Sequence, residues 1–196
     1  MKTAALILNS PEETAPVTER DVICADGGLK HAKVVPVAVI GDFDSLSDKP
    51  ENLNYVSYPV EKNATDGQLA IDFAKEHGYD AVTIYGALKG KPDHVLGNLG
   101  LLKYAHDIDI EAVIKEKDLT VRLVYGKFNI KTKTRTRVSL FPFFGDAVVR
   151  SSRGLYYPLE NLRLNAGTNR GLSNVATCDE ISLDISEGYL LLFIFN

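Results

Sequence analysis

The N-terminal half carries aspartates where a metal–phosphate site would need them. Asp26 leads into Gly27-Gly28 after an apolar run at 22–25. Asp42 and Asp44 lie in Gly41-Asp42-Phe43-Asp44-Ser45, after a run at 37–40. Asp66 follows Thr65 at the head of an amphipathic stretch, and Asp93-His94 follow a glycine-bearing loop with Lys89 and Lys91. Carboxylates that converge repel and raise one another's pKa unless a cation sits among them. Hard oxygen donors suit a divalent ion, and Mg²⁺ shared with substrate phosphates fits best. Asp42 and Asp44 are alternate residues of an extended turn, so both can face one ion. Backbone N–H groups near Gly27-Gly28 and Gly86, with helix N-termini, supply partial positive charge for phosphate oxygens, and the two lysines add full charges.

Taken singly, these signals have plainer explanations. Asp-x-Asp pairs are common in turns, Gly27-Gly28 suits a tight turn, and Asp66 or Asp93 could simply favour a helix dipole. Their placement in one sheet gives them weight. Short, largely aliphatic runs at 4–8, 22–25, 37–40, 55–58, 81–85 and 112–114 are expected to be buried parallel strands. A helix is expected over 66–77. Thr65 is its N-cap, Gln68 completes a capping box, Leu69, Ala70, Phe73 and Ala74 form its apolar stripe, and Gly78 ends it. A second helix is expected from near Asp93, with Val95, Leu96, Leu99 and Leu102 on one face. This alternation predicts a Rossmann-like α/β domain with helices on both sides of the sheet. Residues just after parallel strands line its carboxyl edge, where ligands bind.

After about residue 118 the rhythm changes. Runs at 120–125, 127–133, 137–142, 181–185 and 189–195 are expected to be strands, joined by short turns holding Gly or Asp, among them Gly126, Gly145, Gly154, Gly167 and Gly188. The Lys/Thr/Arg alternation at 131–137 suits a solvated edge or hairpin face. The expected organisation is therefore an α/β domain over 1–118 and a small all-β sandwich or barrel over 119–196.

Composition narrows the class. The chain has 196 residues, 45% hydrophobic and 24% charged, with net charge -4. A pI near 5.6 leaves no nucleic-acid footprint. No apolar run is long enough to span a membrane. Cys24 and Cys178 suggest reduced thiols, and the chain is expected to be cytoplasmic.

Ala25-Asp26-Gly27-Gly28, Gly41-Asp42-Phe43-Asp44-Ser45, Thr65-Asp66, and Gly86-Ala87 with Asp93-His94 and Asn98 resemble the thiamine pyrophosphokinase family in order and spacing. The second half agrees. Gly154-Leu155-Tyr156-Tyr157-Pro158-Leu159 and Gly171-Leu172-Ser173-Asn174 resemble the thiamine-binding domain of the bacterial enzymes. The resemblance implies a homodimer with active sites at the subunit interface. It also implies Mg²⁺, and transfer of pyrophosphate from ATP to thiamine with release of AMP. It assigns metal and catalytic roles to Asp42, Asp44 and Asp66. Asp26, Gly27, Lys91, Asp93 and His94 go to ATP, and Ser173 and Asn174 to thiamine. Three positions depart from the family pattern. Asn63 stands for a second aspartate, Lys91 for an arginine, and Val175 for a glutamate. Two other readings stay open here. One is a binding protein of the same fold with weakened activity. The other is a phosphatase of the haloacid dehalogenase type, whose nucleophile loop Asp42-Phe43-Asp44-Ser45 is similar to.

Overall fold

The apolar runs of the first half form strands in the computed structural model, which describes residues 1–43, 49–58 and 64–196. The chain divides into two units, Met1–Lys117 and Asp118–Asn196. In the first, β1 (Thr3–Ile7), β2 (Asp21–Ala25), β3 (Ala38–Gly41), β4 (Tyr55–Ser57), β5 (Ala81–Tyr85) and β6 (Glu111–Glu116) pair in parallel. Their order is β6-β5-β1-β2-β3-β4. The chain winds outward from β1 through β4, then returns to lay β5 on the other side of β1. The strand order therefore reverses between β1 and β5, and that switch point is where ligands bind on the carboxyl edge of such sheets.

Two helices cover one face. α1 (Asp66–Glu76) packs on β1, β2, β3 and α2 (Pro92–Asp107), and α2 lies on β6. The Thr65 side chain accepts from Gln68 N–H at 3.3 Å, as an N-cap does. At the other end Gly78 takes φ +71, with Gly78 N–H on Lys75 O and Tyr79 N–H on Ala74 O. That is a Schellman ending, which needs a residue without Cβ strain. In α2, Leu99 and Leu102 are buried but Leu96 is 54% exposed, so the apolar stripe is narrower than expected.

The opposite face differs from expectation, for no α-helix covers it among the described residues. Ala5, Ile7, Val22, Cys24, Val39 and Tyr85 are closed over by Ala15 and Val17 from the β1–β2 connection, and by Leu29 and Ala32. Pro11 and Pro16 interrupt that connection and disfavour a helix there. Burial pushes the Cys24 thiol up to about 12, so it is an inert core residue.

The second unit is antiparallel β throughout. It contains β7 (Leu119–Lys131), β8 (Arg137–Phe141), β9 (Ala147–Arg153), β10 (Leu162–Leu164), β11 (Asn174–Val175) and β12 (Glu180–Phe195). β12 pairs with β7 along its length. Its first half also pairs with β9 and its second half with β8. Gly126 and Gly188 are not hairpin turns. They lie inside β7 and β12, where the register shifts between Ile185 and Leu190. Positive φ at both, +59 and +74, lets each long strand bend and continue. The core gathers Val124, Val138, Leu140, Leu164, Ile181, Leu190 and Leu192. No helix among the described residues is long and apolar enough to cross a membrane.

Candidate functional site

The carboxyl edge of the first unit collects the candidate acids. Asp26 begins a short 3₁₀ helix, Asp26–His31, directly after β2, and is only 5% exposed. Its Oδ1 is buried with no hydrogen-bond partner among the described residues. A carboxylate oxygen in that state is costly, unless a cation or donor arrives to satisfy it. Asp26 also takes φ +42, an uncommon conformation tolerated by Asp better than by most residues.

Gly41 shows how closely the acids converge. A Cβ there would lie 3.0 Å from Asp26 Cβ and 3.3 Å from Asp66 Oδ1. Asp26 and Asp66 thus meet at one backbone position, though forty residues apart in sequence. Asp42 follows immediately, half-buried, and Phe43 turns the chain sharply with φ +64. The Phe43 ring is buried in the core and packs edge-on against Tyr55, with centroids 5.1 Å apart. The residue between the two aspartates of the motif is thus an anchor, and backbone strain is stored beside the acids. Asp44 and Asn63 lie outside the described residues.

Among the described residues, no three acidic, histidine or cysteine side chains stand close enough to hold an ion alone. Mg²⁺ does not require such a cage. It keeps waters and commonly takes one or two carboxylates plus phosphate oxygens. An orphaned Asp26 oxygen beside Asp66 suits that partial shell.

The 3₁₀ helix is pressed against the end of β1. A Cβ on Gly27 would fall 2.6 Å from Asn9 Nδ2, and one on Gly28 only 2.2 Å from Ile7 O. Lys30 Nζ donates to Asn9 Oδ1 at 2.8 Å, and His31 Nε2 donates to Ser10 O at 2.8 Å. Gly86, after β5, presses on the same loop from the other side. With φ +72, its Cβ would meet Ser10 Cβ at 3.0 Å. Asn9 and Ser10 are therefore part of the edge and were not singled out from sequence. They follow the first strand as Asp26 follows the second, so the same positional rule picks them out.

The other nucleotide-side candidates lie at the N-terminal end of α2. Lys91 is the exposed N-cap of α2 and makes no side-chain cap. Asp93 and His94 are exposed in its first turn, leaving first-turn N–H groups open to an anion. Lys89 pairs with Glu12 at 3.1 Å across exposed surface.

In the second unit, Ser173 is exposed and takes φ +56; its Oγ accepts from Arg137 Nη2 at 3.2 Å. Asn174 is 2% exposed and fully engaged. Its Oδ1 accepts from Tyr157 and Val175 N–H, and its Nδ2 donates to Tyr157 O. Asn174 therefore reaches outward only through Tyr157, and it presents the exposed edge-to-face pair Tyr156 and Tyr157. Asn174→Ala strands three backbone groups, and denaturant unfolding of this unit should register a loss of about 2–4 kcal/mol.

Known proteins resemble the chain along its whole length. Residues 17–114 match the family model for the thiamin pyrophosphokinase catalytic domain, and residues 127–190 that for its vitamin B1 binding domain. A Bacillus subtilis thiamine pyrophosphokinase is 28% identical, covering 98% of each chain. The crystal structure of the Bacillus subtilis enzyme superposes with a TM-score of 0.87 at 26% identity, covering 100% of this chain and 99% of that one. That of the Geobacillus thermodenitrificans enzyme gives 0.81 at 26% identity, covering 99% and 97%. Asp42 follows the third strand of the unit and not the first, which removes the dehalogenase likeness.

Proposed function

The chain belongs to the thiamin pyrophosphokinase family, and we propose on that footing how its residues divide the reaction. It is an enzyme of thiamine diphosphate synthesis, transferring pyrophosphate from ATP to the hydroxyl of thiamine with release of AMP. The meeting of Asp26 and Asp66 at Gly41 is the observation that carries the assignment of roles.

In this reading Asp42, Asp44 and Asp66 would hold Mg²⁺, with Asp26 near enough to Asp66 for its unpartnered oxygen to face the same ion or its waters. When bound, the ion neutralises charge on the ATP phosphates. The protein's own part is alignment. Gly27 lets the chain approach the phosphates closely, and the first turn of α2 with Lys91, Asp93 and His94 receives the nucleotide. The thiamine hydroxyl oxygen then attacks the β-phosphorus in line, the bond from that phosphorus to the AMP oxygen breaks, and the hydroxyl proton passes to a carboxylate of the cluster such as Asp66; most of the rate derives from positioning and charge neutralisation. Ser173 and Asn174 serve the thiamine side, Asn174 by setting Tyr157. The exposed rings of Tyr156 and Tyr157 suit a flat, cationic heterocycle.

A cytoplasmic homodimer is part of the same proposal, with the first unit of one copy serving the second unit of the other. Lysine at position 91 keeps positive charge but gives up bidentate phosphate geometry, so ATP affinity is the parameter most exposed to the departures. The deciding experiment is direct. Purified protein with ATP, Mg²⁺ and thiamine is followed by chromatography, with AMP and thiamine diphosphate expected in equal amounts. Failure to form either at saturating substrate would sink the proposal.

A further inference from the structure

The loop between β5 and α2 is fixed by side chains far from it in sequence. After Gly86 the chain passes through Ala87, fully buried, and Leu88 before reaching the exposed Lys89 and Gly90. Among the described residues, no backbone N–H of residues 87–90 bonds to a backbone carbonyl outside the regular elements. An irregular loop without such bonds needs other partners to hold one conformation. Two side chains supply them. Asn98 Nδ2, on α2, donates to Ala87 O at 2.8 Å. Glu116 Oε1, at the end of β6, accepts from Leu88 N–H at 3.1 Å.

These two bonds act on one peptide group. The Ala87 carbonyl and the Leu88 N–H are the two ends of the same planar unit. A peptide flip there would reverse both, and each bond opposes it. The β5–β6 register explains how Glu116 reaches its place. Ala81 to Ile84 pair with Glu111 to Ile114, and two further steps set Glu116 level with Gly86. Glu116 is among the buried charged residues, at 9% exposure. A carboxylate is an expensive acceptor to bury, but its bond to an N–H is stronger than a neutral one.

We infer that Glu116 and Asn98 are positioning residues for nucleotide binding. By clamping the Ala87–Leu88 peptide from both ends, they set the path of Lys89-Gly90-Lys91 and the presentation of the α2 N-terminus. The inference rests on the placement of ATP at this loop. Neither side chain is given contact with substrate, so the consequence is a selective one. Loss of the clamp weakens ATP binding and leaves thiamine binding alone.

Steady-state kinetics with each substrate varied in turn provide the test, on the full chain. Glu116→Ala should raise the KM for ATP about tenfold and the KM for thiamine less than twofold. Glu116→Gln, which retains the acceptor oxygen, should recover most of the difference. Asn98→Ala should raise the ATP KM similarly. The double variant should be no worse than about the larger single effect, because both side chains hold one peptide. Lys91→Ala separates the two levels of the argument. If it leaves the ATP KM unchanged, the placement of ATP at this loop is overturned. If it raises the ATP KM while Glu116→Ala raises neither KM, or both equally, the clamp is overturned and the placement stands. Should Glu116→Ala fail to fold, Asn98→Ala and Glu116→Gln decide. An unchanged ATP KM in Asn98→Ala refutes the clamp.

Discussion

Asp66→Asn is expected to lower AMP formation at least ~100-fold. Asp66 Oδ1 and the Asp26 side chain approach Gly41 from different elements, so two carboxylates share a small volume in which Asp26 is almost wholly buried. In turnover the Asp66 charge is needed, since removing one preorganised electrostatic contact costs about 10²–10³ in rate. Asp42→Asn should behave alike in rate. Quench-flow or coupled AMP assays at saturating Mg²⁺ provide the measurement. Turnover within tenfold of the unmodified enzyme in either variant would remove the substituted aspartate from the reaction. Adding Mg²⁺ and ATP should stabilise the unmodified protein and do little for Asp66→Asn, because a ligand stabilises only in proportion to its binding.

Gly28→Ala should produce the largest change in stability, a loss of about 3 kcal/mol or more in the first unit. The added carbon would lie 2.2 Å from Ile7 O and 2.9 Å from Ile7 C, both of them backbone atoms of β1. A flexible side chain could swing aside, but a central strand cannot. The 3₁₀ helix must therefore shift, which overpacking data put at the costly end. Asp26 opens that helix, so activity should fall with stability. The contrast is Gly97→Ala in α2, where nothing lies within 4 Å of the new carbon. There the change should stabilise by about 0.5–1 kcal/mol, through helix propensity and a less flexible unfolded chain. Urea titration of the two variants side by side checks both signs. Equal stability in Gly28→Ala and the unmodified protein would mean that the 3₁₀ helix does not rest on β1 as described.

Local signals in the sequence carried the first unit well, because each of its elements is short and declares itself nearby. Thr65, Gln68 and Gly78 mark the ends of α1 without reference to anything distant. Asp26 and Asp42 were legible as edge residues because an apolar run precedes each one. Asn9 and Ser10 obey the same rule, but amide and hydroxyl side chains attract less notice than charges. Glu116 was invisible for a different reason. Its partner Leu88 lies 28 positions away, and only the register of β5 on β6 joins them. The lack of an α-helix on one sheet face among the described residues was foreshadowed by Pro11 and Pro16, though alternation argued the other way. In the second unit Gly126 and Gly188 misled, since a glycine between two apolar runs signals a turn more often than a bulge. Which of the two it is depends on cross-strand pairing, and no neighbour in sequence reports that.

The pairing of β7 with β12 bears on how the protein acquires its shape. The ladder runs from Leu119 opposite Phe195 to Lys131 opposite Glu180, and β12 also carries β8 and β9. The closing pair joins residues 76 positions apart, so most of this unit must be looped out before the ladder forms. High contact order of this kind slows folding, because chain entropy is lost before the contacts repay it. The first unit closes a similar distance, since Thr3 of β1 lies opposite Ala81 of β5, 78 positions on, but α1 and α2 form on local signals alone. In refolding from denaturant the helical signal should therefore return early, and the burial of Leu190 and Leu192 only with the full ladder, in one cooperative step.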